Sequence, residues 1–371
     1  MSRQIAGNSS LFFYSNRKTV ELMYFESKFK SMDYRMLCSI QGLKLDGIDF
    51  YKIPHFVLCD DANTRNELFN NEDFLKKVGT INYPLQFENR VYAIAKINFL
   101  DEMLNWNRIN ITNKLTEQTI FIGQHLRDFL HFLWFVKDNS ISSTMNIGHV
   151  QHEEILMYTS EISSITNRFG EVNDTLFSKS EFDLAIEMQK KYIEISPGKP
   201  IEIQNDLLLK EDEEIVPRLS RFKNVPNKED KVPNYRIARA WTFMTKARLS
   251  DVLAMKIAFY IPVLECLFCT DSNEVTHKVS ERAAFYIGSD YKERFGIYKT
   301  IKEAYALRSK YFHGQELIAK HQDIDNQKLL SLKMDYIIRK VLAKIILKDG
   351  NIFNEPNQQV FEENMTSLIF K

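Results

Sequence analysis

Cysteine is scarce in this sequence. Cys38, Cys59, Cys266 and Cys269 are the only four among 371 residues, too few for the disulfide framework that holds small secreted scaffolds together. A reducing cytoplasm is the expected setting. An excess of charge of either sign is also missing: 49 Lys+Arg against 49 Asp+Glu leave a formal net charge of +0. The whole molecule therefore does not gather polyanions around itself, and any nucleic-acid binding must come from a local patch. The N-terminus MSRQIAGNSSLFFYSNRK lacks the long apolar core of a signal peptide. The longest apolar stretches are Phe129–Val136, interrupted by His131, and Leu253–Cys269, which carries Lys256 and Glu265. The first is too short to span a bilayer and the second is charged in two places, so both are expected as buried helices and no membrane contact is expected. No Walker-type loop and no G-x-G-x-x-G occurs, which leaves a P-loop nucleotide site unsupported. No cofactor is expected, and neither internal repeats nor low-complexity tracts are visible.

The 44% hydrophobic content is enough for a real core, and the length is comfortable for two domains. The expected fold class is α+β: a mixed α/β region over residues 1–215, a linker at 216–233, a four-helix bundle at 234–350 and an extension at 351–371. Val20–Phe25, Phe56–Cys59 and Val91–Ile97 are rich in β-formers and read as strands. Thr112–Asp138 reads as a deeply buried helix with Ile120, Leu126, Phe129, Leu130, Leu133 and Trp134 on its apolar face, ended by Asn139 and Ser140. A strand is expected at Glu154–Tyr158 and a helix at Glu181–Glu194. Residues 205–233 are charged and contain Pro217, Pro226 and Pro233, a composition that suits a linker or long surface loop.

From Asn234, a plausible N-cap, nearly everything reads as helix. Ile237, Trp241 and Met244 lead into Leu249, Leu253, Ile257, Ile261, Leu264 and Phe268, and these last six, spaced by three or four, make one continuous stripe. Pro262 is expected to kink this helix. Further helices are expected at Glu274–Ile287, stopped by Gly288; at Tyr291–Tyr311, with Tyr298, Ile301 and Tyr305 inward and Gly314 closing it; and from after Asp325 to Gly350. A short helix is expected at Val360–Phe370.

The sharpest chemical motif is RSKYFHG, Arg308–Gly314, which contains Arg–x4–His. RNA can be cut without a metal when one group handles the 2′-OH or leaving-group proton and another stabilises charge on the phosphate. Histidine suits the first task because it titrates near neutrality. Arginine suits the second because its fork of donors fits phosphate oxygens. Five residues on a straight helix amount to roughly 140° of rotation, so the two would not share a face. Either the helix ends between them, or another chain completes the site, or both. The bland alternative is an arginine paired with a carboxylate and a histidine satisfying a helix C-terminus.

The stretch IPVLECLFCTDSNEVTHKVSERAAFYIG, followed by YALRSKYFHG, resembles the Apea-like branch of the HEPN superfamily (higher eukaryotes and prokaryotes nucleotide-binding). Three ordered blocks carry the resemblance: the Leu264–Glu265 helix end, the His277, Lys278, Arg282 and Ala283 helix, and the Arg308–Ser309 to His313–Gly314 segment. Leu133–Asn139 is similar to segments of uncharacterised proteins with the same C-terminal domain. The resemblance implies a bundle that dimerises and places Arg–x4–6–His motifs of both subunits in one cleft. It also implies RNA, such as tRNA, as substrate, and a toxin or phage-defence role. By position His313 is the implied acid/base residue and Arg308 the phosphate contact. Ser309 departs from the Asn, Asp or His of many active members, and some members are non-catalytic modules that bind RNA, a nucleotide or a protein partner.

Around this pair, His277 and Glu281 share a helix face, either supporting the site or forming a surface ion pair, and Arg282 is the third candidate there. Glu265, near an apolar stripe, needs a partner such as Arg282 or Arg308. Lys310 either touches RNA backbone or is solvated. His149, His152 and Glu153 form H-x-x-H-E, but Asn146–Gly148 and the strand pattern after it argue against a helix, and no third ligand is obvious, so no metal is expected. Cys266 and Cys269 fit C-x-x-C without a second pair and read as core cysteines. The N-terminal half could recognise a trigger, hold a nuclease closed or select its RNA.

Overall fold

A computed structural model describes residues 34–53, 56–61, 90–97, 108–150, 156–160, 165–195 and 236–370. The expected strand Val20–Phe25, the linker with its three prolines, the N-cap Asn234 and the His152–Glu153 pair lie outside the described residues. The chain divides into two compact units that interleave along the sequence. The first draws on Met1–Leu130, Ile141–Ser164 and Asp174–Asp183, the second on His131–Ser140, Ile165–Asn173 and Leu184–Lys371. Strands precede a helical C-terminal region, as the α+β expectation has it. That region holds more elements than the four helices expected.

In the first unit, β1 (Tyr34–Gln41), β3 (Phe50–Ile53), β4 (Phe56–Cys59), β5 (Tyr92–Ile97), β6 (Ser142–Val150) and β7 (Leu156–Ser160) form an antiparallel sheet in the order β3-β4-β5-β1-β6-β7. The short β2 (Leu43–Leu45) pairs in parallel with β8 (Thr175–Phe177). Met36, Leu37, Cys38 and Ile40 are all buried, so β1 is covered on both faces. That explains why no strand was expected there: a doubly covered strand shows no polar alternation. β6 was hidden differently. Its Ser142, Ser143 and Asn146 are buried polar residues, and Ser143 Oγ bonds Asn146 Oδ1 at 3.1 Å. Helix α1 (Arg108–Val136) lies on this sheet, and a Cβ added at Gly123 would stand 3.0 Å from Asn146 Nδ2. Of the six residues expected on its buried face, Ile120 is the exception, at 42% exposure.

Helix α2 (Lys179–Ile195) passes from the first unit into the second. The second unit continues with α3 (Arg236–Arg248), α4 (Leu253–Phe268), α5 (Val275–Ile287), α6 (Tyr291–Phe312), the short α7 (Ala319–Gln322) and α8 (Ile324–Lys344). A π-helical turn, Ile345–Asp349, then leads to α9 (Gly350–Phe353) and α10 (Gln358–Ser367). One helix carrying Ile237 through Phe268 was expected; the chain instead breaks between α3 and α4. The broken end is satisfied from a distance. Thr166 Oγ1 donates to Arg248 O at 3.0 Å and to Ser250 O at 2.7 Å, and Lys256 Nζ donates to Ala247 O at 2.8 Å. Carbonyls that a helix interior would have paired are thus paired by side chains. Pro262 sits inside α4 without ending it. No helix among the described residues is long and apolar enough to cross a membrane.

A buried polar network lies in the core of this unit. Asp335 of α8 is wholly buried and accepts from Trp134 Nε1 at 3.0 Å, Tyr260 Oη at 3.2 Å and Arg339 Nε at 2.8 Å. Arg248, equally buried, donates to Asn139 O at 3.1 Å and Asn139 Oδ1 at 3.0 Å. Burial, reinforced by the charge of Asp335, pushes the Asp138 carboxyl up to about 6. Burial, reinforced by the charge of Arg248, pushes the Lys256 ammonium down to about 7.

The Lys256 shift fixes the sign of a pH effect. Below the folded value the ammonium is charged and carries its full desolvation cost. Between that value and the ordinary lysine pKa of about 10.4, the unfolded chain holds a proton the folded chain has released, so this group's contribution to stability rises with pH. Lys256→Met removes the group. The lost bond to Ala247 O offsets part of the relief, so the variant's gain relative to wild type is expected to be larger in mildly acidic buffer and to shrink as pH rises toward the lysine value. Urea midpoints of both proteins at about pH 6 and about pH 9 check this; an equal gain at both contradicts it.

Candidate functional site

Helix α6 carries the Arg–x4–His pair. Asp290 caps its start by accepting the Glu293 N–H at 2.9 Å, and Ile297, Ile301, Ala304, Tyr305 and Leu307 bury its inner face. The expected inward Tyr298 is only half-buried. At the other end His313 is the C-cap. The Gly314 N–H donates to Tyr311 O at 3.3 Å and the Gln315 N–H to Lys310 O at 2.9 Å, with Gly314 at φ 64°. This is a Schellman closure, in which the last orphan carbonyls find donors through a left-handed residue. A Cβ added at Gly314 would meet nothing within 4 Å. Gly314→Ala is therefore expected to cost only the left-handed backbone, roughly 1–2 kcal/mol, read as a lowered thermal midpoint. An unchanged midpoint contradicts the assignment.

Because α6 runs unbroken through Phe312, a helix end does not separate Arg308 from His313. The helical spacing holds, and the two residues point roughly 140° apart. Arg308 lies on the packed side with Ile301, Ala304 and Tyr305 and is half-buried, while His313 is exposed. The Arg308 guanidinium carbon is 5.6 Å from the centre of the Phe312 ring, which in turn stands 6.3 Å from that of Phe259. Among the described residues Arg308 forms no salt bridge, and its buried Nε has no hydrogen-bond partner. Among the described residues no carboxylate is in salt-bridge contact with Arg308, as the bland reading would require, although Glu265 acts on the same Tyr305.

Glu265 does not pair with Arg282. Arg282 donates to Phe268 O at 2.8 Å and Thr270 Oγ1 at 3.0 Å, and it pairs with Glu362. The physical reason is α10. Buried Phe361 and Met365 dock this helix and bring Glu362 to Arg282, although the sequence reading left the segment outside the bundle. Glu265 instead faces Tyr305, whose phenol is pushed well above its ordinary value by burial and then by the Glu265 charge, with the Arg308 charge opposing. Glu265, Tyr305 and Arg308 therefore share one neighbourhood.

His277 is placed elsewhere. Its Nδ1 is 3.1 Å from Tyr298 Oη, and Tyr298 precedes Arg308 by about 15 Å of helix rise. Ser309 is exposed and Lys310 half-buried. Lys310 adds its charge to the field at His321, which burial, above all, pushes below its ordinary value. His321 Nε2 lies 3.7 Å from Glu303, which also pairs with Lys320. Glu303, Lys320 and His321 were not singled out from sequence, and Tyr305 was read only as an inward position of the helix. The positions of Tyr305 and Glu303 along α6 were legible, but nothing local shows that Lys320 and His321 fold back onto it. Among the described residues no group of three or more His, Cys, Asp or Glu is placed to hold a metal ion. Cys266 and Cys269 are half-buried rather than core, because α4 ends between them and Cys269 turns to donate to Asp271 O at 2.9 Å.

No family model, curated protein or solved structure matches this chain.

Proposed function

We propose that this protein is a metal-independent endoribonuclease of HEPN type that acts as a homodimer through its helical unit, in the role of a toxin or anti-phage effector. The observation that carries the reading is an arginine without a salt-bridge partner among the described residues, five positions before an exposed histidine at the same helix end. A guanidinium left unpaired can take a phosphate instead. In the reaction the imidazole removes the 2′-OH proton, O2′ attacks phosphorus, and the P–O5′ bond breaks. The departing O5′ takes a proton from solvent while the imidazolium releases its own to solvent, and the guanidinium neutralises charge gathering on the non-bridging oxygens. The products are a 2′,3′-cyclic phosphate and a 5′-OH.

Since the two side chains point apart within one chain, Arg308 of one copy works with His313 of a second. Phe312 and Ile318, exposed by 47 and 46% just before and after this helix end, supply apolar surface for that second copy to cover. The test is purified protein with tRNA in EDTA, followed by end analysis. Cyclic phosphate ends are the expected result; intact RNA, or 3′-OH ends, overturns the reading. Exposed Ser309 favours one alternative, a non-catalytic module of the same type, which binds RNA, a nucleotide or a protein and leaves RNA intact at any protein concentration.

A further inference from the structure

We infer that the outer face of α6 is a track for single-stranded RNA leading to His313; the inference rests on the ribonuclease reading and names the form of its substrate. Most exposed residues of this helix fall on one side. Lys292, Phe295, Lys299, Lys302, Ala306 and Ser309 recur at steps of three or four and are all exposed, and His313 continues the same line. From Lys292 to His313 the face runs about 32 Å.

Its chemistry fits a single strand. Tyr291 and Phe295 are exposed by 78 and 42%, and their rings stack with centres 5.7 Å apart at 10°. Lys299 Nζ stands 4.1 Å from the centre of the Phe295 ring, and Lys302 Nζ 5.4 Å from that of Tyr298. Flat rings in the open offer stacking to any base, and lysines beside them follow the backbone. The two acidic residues within α6 are taken by cations from other elements, Glu293 by Lys340 at 2.8 Å and Glu303 by Lys320, and Asp290 at its start is engaged by the Glu293 N–H. Among the described residues Lys299 and Lys302 form no salt bridge. In a molecule of zero net charge, this leaves a local strip of uncompensated positive charge, and phosphate is its complement. A duplex would hide its bases from the two rings, so the occupant is unpaired RNA.

The experiment titrates the full chain with a fluorescent unstructured RNA and with a duplex of the same length, at several salt concentrations, reading binding and cleavage together. Wild type is expected to bind the single strand more tightly than the duplex. Lys299→Glu with Lys302→Glu is expected to weaken single-strand binding at least about tenfold and to flatten the log–log salt slope by about 1.4, two phosphate contacts' worth. Phe295→Ala is expected to weaken it about 5- to 100-fold. Unchanged thermal midpoints establish that these surface variants fold. The inference is overturned by variants binding within about twofold of wild type, by duplex binding as tight as single strand, or by variants that change only the oligomeric state. Cleavage separates the two readings: RNA cut by a protein whose strip variants bind normally sinks the track alone, whereas strip-dependent binding without cleavage sinks the nuclease alone.

Discussion

Replacing His313 with alanine is expected to slow RNA cleavage in EDTA by about 10²–10⁴-fold, the usual worth of a positioned acid/base group. Arg308→Ala is expected to lose about 10²–10³-fold, the cost of removing one donor to developing charge. His313 is exposed at the C-cap of α6, and the cap is closed by the backbone of Gly314 and Gln315 rather than by the imidazole. Its removal should therefore leave the fold and its melting temperature in place. Arg308 touches Phe312, so its loss combines a catalytic effect with some packing. Arg308→Lys keeps the charge but loses the fork and should recover only part of the rate. Rates within about threefold of wild type in both alanine variants would remove these residues from the chemistry.

The largest expected effect on stability lies far from this site. Asp335→Ala leaves Trp134 Nε1 and Tyr260 Oη without their acceptor, and Arg339 without its counter-charge, in a place where Asp335 is 0% exposed. Breaking one side of such a buried network costs about 3–5 kcal/mol. Urea unfolding measures it, and a loss under about 1 kcal/mol would show that the network relaxes or is hydrated. Asp335→Asn keeps an acceptor oxygen for one or two donors and is expected to fall between wild type and alanine.

What the sequence made legible follows from where the forces are local. β4 and α5 were placed to within a residue, and α6 ends where Gly314 follows the last periodic position, because runs of β-formers, helical periodicity and the left-handed glycine are written in neighbouring residues. The α3–α4 break was not legible. It depends on Thr166 and Lys256 satisfying carbonyls of Ala247, Arg248 and Ser250, and Thr166 comes from more than eighty positions earlier. Nor was the Arg282–Glu362 pair, since α10 is short and only its docking of Phe361 and Met365 brings the carboxylate in. Within the candidate site, the helical angle between Arg308 and His313 was calculable from spacing. That the helix continues through Phe312 needed the structure.

Divergence of these two side chains makes a two-chain active site the centre of the account, and complementation tests it most directly. Arg308→Ala and His313→Ala proteins are assayed for RNA cleavage in EDTA, each alone and after co-expression. Each alone is expected to be silent, and the mixed dimers are expected to cut, because one copy brings the guanidinium and the other the imidazole. Silence from verified mixed dimers, or cleavage by either variant alone at the wild-type rate, contradicts it.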